Sequence, residues 1–260
     1  MQNSFKGKRA LLTGNSSGIG FHVALMLAQA GVRELVLNGR NAQRGEGASR
    51  AIAKHCPGAK VEFVAADVST PAGAQSVLQG GAKHLGGGID ILVNCAGGVR
   101  GQVAKPVEEV SEQDWLVLFE ANVHGAFWCS QSAAPHMKQQ KFGRIVNISS
   151  GAGLRPSLTG IQAYTSAKHA LVGLTKQLSF ELGPFGVTVN SVAPGFVLSN
   201  PATQRQWESY GPEGQARLIE SIHTRRLGHP QDIANAVMFL ASDAAGWISG
   251  QIISADGGRS

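Results

Sequence analysis

Cysteine is scarce in this chain, and the little there is forms no pattern. Cys56, Cys95 and Cys129 are odd in number and far apart, no CxxC occurs, and the eight histidines contain no HExxH. A disulfide framework and a zinc site are not expected, and no metal is assigned. Free thiols in a reducing compartment, the cytoplasm, are the expectation. Charged residues are also few, at 15%, and the formal charge of +6 comes from scattered side chains. The densest basic pairs, Lys8-Arg9 and Arg225-Arg226, stand alone, and no basic run is interleaved with aromatics. Nucleic acid is therefore not an expected partner; a phosphorylated small molecule is a better use of the charge. Long apolar runs are missing too. The polar start, 1–7, and the first apolar stretch, Ala10-Leu11-Leu12, fall far short of a signal segment or a membrane span, so no membrane association is expected.

What is present is a repeating rhythm. The 260 residues, 43% of them hydrophobic, suffice for a large core, since roughly three quarters of the unfolded surface is buried at this length. Short apolar runs at 10–12, 35–37, 61–65, 89–93, 144–148, 187–192 and 251–254 read as strands. Helical patterns fall between them, at 19–30, 42–54, 71–85, 111–140, 162–182 and 230–241. Gly31, Pro57-Gly58 and Gly183-Pro184 close helices, Ser111 is an N-cap candidate, and Pro230 suits a first helical position. Nearly all-apolar strands alternating with helices predict an α/β fold with a parallel sheet covered on both faces. Right-handed crossovers then give the doubly wound, Rossmann arrangement. No linker divides the chain, so 1–260 is expected to form one domain. The segment 196–228, with Pro201, Gly211, Pro212 and Gly214, reads as irregular. It leaves the carboxyl end of a strand, where ligands bind in such folds, and is expected to be a mobile substrate lid.

The turn after the first strand reads Thr13-Gly14-Asn15-Ser16-Ser17-Gly18-Ile19-Gly20. Glycines there let backbone approach a pyrophosphate, which then sits on the positive end of the next helix. The adenosine ribose is the next question. An acid at the end of the second strand would bind both ribose hydroxyls and select NAD(H). Here the residues are Asn38-Gly39-Arg40. Arg40 can grip a 2′-phosphate with both guanidinium arms, and Arg44 lies one helical turn on. NADP(H) is therefore expected over NAD(H), unless Arg40 is a solvated loop residue. Asp67-Val68 follows the third strand and suits the adenine edge, although Asp67 also suits the cap of the next helix. After the fourth strand, Asn94-Cys95-Ala96-Gly97 supplies small residues against which a dinucleotide can lie.

Tyr164 and Lys168 stand four apart, on one face of a predicted helix. A free phenol titrates near ~10; bringing it to about 7 takes about 4 kcal/mol, roughly what a cation about 4 Å away supplies at an effective dielectric of about 20. Ser150, at the end of the strand just upstream, can hold a substrate oxygen beside Tyr164, with Ser149 as the alternative. Asn122 lies inside the predicted 111–140 helix, where Asn is a poor helix former; it can bend the helix and hold a water near Lys168.

On these residues the sequence resembles the short-chain dehydrogenase/reductase family, as a 3-oxoacyl reductase-like member, along essentially its whole length. The likeness rests on the 13–20 turn, Asp67, 94–97, Asn122, Ser150, Tyr164, Lys168, Pro194-Gly195, Arg226-Leu227-Gly228, Pro230, Ser249-Gly250 and Asp256-Gly257-Gly258. The resemblance implies Tyr164 as general acid in reduction and base in oxidation. It implies Lys168 lowering the Tyr164 pKa and binding the nicotinamide ribose, Ser150 stabilising charge on the substrate oxygen, and Asn122 completing a proton relay. Pro194, Gly195, Val197 and Ser199 would face the nicotinamide carboxamide, and a homotetramer is implied. Cys95 replaces an Asn common in the family, and the Ser150–Tyr164 interval is one residue longer than usual. Leu154, Arg155 and Leu158, in that longer loop, are pocket candidates by position. Trp207, Tyr210 and Trp247 line a pocket or pack; His124, His169 and His223 read as surface or packed residues. The leading expectation is an NADP(H)-dependent carbonyl or 3-oxoacyl reductase. The alternatives are an alcohol or sugar dehydrogenase working oxidatively and a dinucleotide-binding sensor without turnover, in which Tyr164→Phe would change nothing.

Overall fold

In β1 (Arg9–Thr13), Ala10 and Leu12 turn to one face and Leu11 to the other, and all three are fully buried. A strand that is apolar on both sides must be covered on both sides, and β1 sets the plan of the computed structural model, which describes residues 5–84, 86 and 88–259. The remaining strands are β2 (Glu34–Gly39), β3 (Lys60–Ala65), β4 (Ile91–Asn94), β5 (Gly143–Ile148), β6 (Val187–Pro194) and β7 (Ile252–Ala255). All pair in parallel, in the order β3-β2-β1-β4-β5-β6-β7. The helices are α1 (Gly18–Gln29), α2 (Ala42–His55), α3 (Pro71–His84), α4 (Glu112–Phe119), α5 (Gly125–Gln140), α6 (Gln162–Leu182), α7 (Pro201–Ser209), α8 (Gly211–Glu220) and α9 (Pro230–Ala241). Val23 and Leu27 of α1, Ile52 of α2 and Ile233 and Val237 of α9 close over Ala10, Leu12, Leu35 and Leu37. Val77 of α3, Cys129 and Met137 of α5 and Leu178 of α6 close over Leu11 and Val36. Each fully buried Leu contributes about 1.5–3 kcal/mol, so both layers are anchored.

The α/β doubly wound fold expected from the sequence is the one observed. Strand order reverses between β1 and β4, because the chain leaves β1 toward β2 and β3 and returns to the other side for β4. The crevice at the carboxyl ends of these two strands is where such folds bind ligands. Element ends move by one or two residues. β4 starts at Ile91 rather than 89 because Asp90 caps the edge: its carboxylate accepts from the Arg9 backbone N–H at 2.8 Å and from the Arg9 side chain at 3.0 Å. The expected end of the third helix at Leu85, and the first four residues of the polar start, lie outside the described residues.

Two expectations are corrected. The stretch 111–140 is not one α-helix. Ser111 does cap α4, in a capping box with Asp114, but Glu120–His124 forms a π-helical turn before α5 begins. Asn122 lies inside it, and its Nδ2 donates to the Leu118 carbonyl one turn back at 2.9 Å, competing with the backbone for that acceptor. The segment 196–228 is not irregular, since it contains α7 and α8. Its prolines start helices instead of breaking them: Asn200 accepts from the N–H groups of Ala202 and Thr203 with Pro201 in the first turn, and Pro212 opens α8. The two stems of the segment are tied together by a parallel bridge between Val197 and Gly228 and a Gly228 N–H donated to the Phe196 carbonyl at 3.0 Å. Among the described residues no helix is long and apolar enough to cross a membrane.

Candidate active site

The turn between β1 and α1 is built by backbone contact. Gly14 has φ +68°, and a Cβ there would stand 2.5 Å from the Ala96 Cα; a Cβ on Gly20 would stand 2.6 Å from the Gly14 carbonyl oxygen. Thr13 locks the same junction, its Oγ1 accepting the backbone N–H groups of Cys95 (3.2 Å) and Ala96 (3.1 Å). Ser17 precedes α1 in extended conformation with no side-chain cap bond, and the first turn of α1 holds no acid. The positive end of the helix is thus left bare, the condition for holding a pyrophosphate.

Two cavities meet here, sharing Gly14 and Gly97. The larger, about 390 Å³, runs from Ser17, Gly18, Ile19 and Gly20 past Lys168 to Ser150 and Tyr164, and its far wall includes Pro194, Gly195, Val197 and Ser199. The smaller, about 230 Å³, is bounded by Ser16, Arg40, Arg44, Asp67, Val68, Ala96 and Arg100. Seventeen of the eighteen cofactor-contact residues expected from sequence line one or both of these cavities, and Asn94 lines neither.

 Its amide is turned inward, donating to Asn147 Oδ1 at 2.9 Å and to Ser130 Oγ at 3.3 Å. Val197 reaches the larger cavity from its bridge to Gly228, outside any regular strand.

Ser150 lies two residues beyond β5 and caps the short 3-10 turn Gly151–Gly153. Its Oγ accepts the Ala152 N–H at 3.1 Å, which leaves its own O–H to donate, and its side chain is close enough to the Tyr164 phenol to favour the charged form. Ser149, the alternative, donates its hydroxyl to the Lys168 carbonyl at 3.3 Å, so that proton is not available to a substrate oxygen. Burial pushes the Tyr164 phenol above its ordinary value, and the neighbouring Ser150 side chain pulls the other way. Lys168 stands beside this pair: its ammonium lies 5.8 Å from the Tyr164 ring centroid and donates to the Ile148 carbonyl at 2.9 Å. Burial brings Lys168 itself down to about 8. Cys95, beside it, is pushed up to about 11 by burial and is therefore a neutral thiol.

Asn122 lines neither cavity, and its role as a side-chain water holder is corrected. Nδ2 donates to the carbonyls of Gly98 and Leu118, both at 2.9 Å, and Oδ1 accepts the Gly98 N–H at 2.9 Å. No side-chain N–H remains for a water; the amide fixes the 97–98 backbone instead. Arg100 is a residue the sequence reading missed. It enters the smaller cavity at φ 54°, 3.7 Å from Asp67, and a charged residue two positions after the glycine pair 97–98 was the available signal. Arg40, Arg44 and Arg100 thus surround a cavity whose lining holds one carboxylate.

Residues 13–260 match the family model described as enoyl-(acyl carrier protein) reductase. The chain belongs to the short-chain dehydrogenase/reductase family. It is 38% identical over 251 residues to a (2S)-(R)-hydroxy(phenyl)methylsuccinyl-CoA dehydrogenase subunit of Thauera aromatica, covering 96% of each chain. It is 34% identical to a 3-oxoacyl-(acyl-carrier-protein) reductase of Staphylococcus aureus, covering 96% of this chain and 97% of the other. The solved structure of a short-chain dehydrogenase/reductase from Mycobacterium ulcerans superposes with a TM-score of 0.91 at 30% identity, over 98% of this chain and 90% of that one. Family members are oxidoreductases that use a nicotinamide dinucleotide and act on small molecules. The bare start of α1 and the glycine-lined junction of the two cavities fit that group.

Proposed function

We propose that this short-chain dehydrogenase/reductase is NADP(H)-dependent and interconverts a ketone and a secondary alcohol, as a carbonyl or 3-oxoacyl reductase. The observation that carries the reading is the Ser150 hydroxyl at the Tyr164 phenol, in a cavity continuous with Lys168 and the bare start of α1. The nicotinamide supplies the hydride when bound. Tyr164 gives its phenolic proton to the substrate oxygen; burial, which favours the neutral phenol, keeps that proton available at neutral pH. Ser150 donates its O–H to the same oxygen as negative charge grows there. Lys168, with one N–H on Ile148 and the others unspent, holds the phenolate charge and the nicotinamide ribose. Asn122 acts as a positioning residue through Gly98.

Ser16, Ser17 and the backbone of 18–20 hold the pyrophosphate, Asp67 and Val68 the adenine edge, and Ala96 and Gly97 the backbone side of the dinucleotide. Pro194, Gly195, Val197 and Ser199 face the carboxamide. Preference for NADP(H) is supported by Arg40, Arg44 and Arg100 around a single carboxylate, a charge balance suited to a 2′-phosphate. The segment 196–228 serves as a substrate lid within one domain. Exposed Trp115 and Leu116 on α4 and Phe180 on α6 support a homotetramer, and three unpaired thiols suit a reducing cytoplasm.

The test is NADPH oxidation with a panel of ketones, diketones and 3-oxoacyl thioesters. Tyr164→Phe is expected to lower turnover by about 10²–10⁴-fold while NADPH binding, followed by fluorescence, survives. Equal turnover in the mutant sinks the mechanism, and a lower KM for NADH than for NADPH sinks the cofactor assignment.

A further inference from the structure

The outer wall of the larger cavity carries a second pair of arginines, Arg155 and Arg259, that the proposed reaction does not use. Arg155 lies in the lengthened loop between Ser150 and Tyr164. Its Nη2 pairs with Asp256 at 2.7 Å and its Nη1 donates to the Arg259 backbone carbonyl at 2.7 Å. The other carboxylate oxygen of Asp256 accepts the Gly258 N–H at 3.0 Å. Asp256 is therefore committed to Arg155 and to the chain's own turn. Arg259 keeps its charge without such a partner: among the described residues no carboxylate lies within ion-pair distance of it, and its buried Nε has no hydrogen-bond acceptor. Burial, and then the neighbouring Arg155, act against its charge, and the smaller opposing effects of Tyr210 and Asp256 do not cancel them, as expected where one anion is missing from a set of two guanidinium groups and one carboxylate.

We propose that Arg259 is an anion subsite of the substrate cavity and that the substrate is a keto acid whose carboxylate sits on Arg259 while its ketone sits at Ser150 and Tyr164. The inference rests on the ketone-reductase reading for the carbonyl end. Arg155, held by Asp256, is a positioning residue that fixes the Arg259 backbone. A half-buried guanidinium whose buried Nε–H is unmatched offers the planar fork that a carboxylate fits. The net charge of the cluster matches a monoanion; a phosphate dianion would face Asp256 as well.

Two measurements test this, on the enzyme with and without NADP⁺. The first is calorimetric titration of glutarate, dimethyl glutarate and inorganic phosphate into wild type, Arg259→Met and Arg259→Lys. Glutarate is expected to bind wild type about tenfold or more tightly than its ester, about 1.4 kcal/mol, with the difference lost in Arg259→Met and partly kept in Arg259→Lys. Equal binding by wild type and Arg259→Met, or tighter binding of phosphate than of glutarate, overturns the proposal. The second is the ratio of kcat/KM for keto acids to that for their methyl esters, which Arg259→Met should lower about tenfold. Ketone turnover with a ratio that Arg259→Met leaves unmoved overturns the subsite and leaves the reductase reading standing. Glutarate binding that depends on Arg259, without turnover of any ketone, supports the subsite and overturns the reductase reading.

Discussion

Arg100 points its charge into the smaller cavity from a left-handed backbone, φ 54°, a conformation that costs about 1–3 kcal/mol outside glycine. Its partner there, Asp67, lies at 3.7 Å and is half-exposed, so the pair alone is weak recompense. A 2′-phosphate between Arg40 and Arg100 accounts for the arrangement better. Arg100→Ala is expected to weaken NADPH binding by about tenfold or more, the usual scale for a charge-assisted hydrogen bond, with little change for NADH. Titration of both cofactors by fluorescence reads this, and equal losses for the two would count against the 2′-phosphate site. Lys168 gives a second expectation. With its value brought down to about 8 by burial, it is an ammonium below that pH and neutral above it. Ketone reduction that needs the ammonium beside Tyr164 should therefore fall as pH rises through about 8, read as kcat/KM between about pH 6 and about 10. A flat profile across that window would remove the Lys168 charge from the mechanism.

Among the elements, α7 is the one whose start depends most visibly on one side chain. Asn200 accepts two backbone N–H groups at 2.9 and 3.1 Å, while Thr203 Oγ1 accepts the N–H groups of Ser199 and Asn200 at 3.0 and 3.2 Å. Asn200→Ala should destabilise α7 by about 1 kcal/mol and, if 196–228 covers the substrate as proposed, raise KM for the ketone with little change in melting temperature. A fall in melting temperature with KM unchanged would show that the segment does not cover the substrate. The same helix marks the limit of sequence reasoning. Strands such as β1 and β5 were legible because burial on both faces writes an unbroken apolar run. Pro201, Gly211 and Pro212 were misread because the residues that break a helix are also those that begin one, and only the Asn200 cap separates the cases. Gly14, Tyr164 and Lys168 were legible through spacing along one turn or one helix. Arg259 and Arg100 were not, since their meaning depends on which distant residues the fold brings beside them.

For the whole molecule, Phe180 on α6 is 81% exposed, and Trp115 and Leu116 are exposed on the neighbouring α4. Apolar surface of this kind on paired helices is normally covered by another copy. Phe180→Asp is expected to shift the sedimentation coefficient to a smaller species; an unchanged assembly would place the subunit contact elsewhere. The sheet itself has a consequence in time. Thr13 closes on residues 95 and 96, and Arg9 on Asp90, across loops of about eighty residues, and such closures are slow to form. The glycine turn is among the first parts of the chain to be synthesised, yet it has no wall to stand against until Ala96 has been made and β4 has docked. Until then the nascent chain carries the sequence of a nucleotide site without its shape. Affinity for the dinucleotide therefore arrives late, as a property of the finished sheet, and a bound dinucleotide would clamp together the two halves whose meeting created its site.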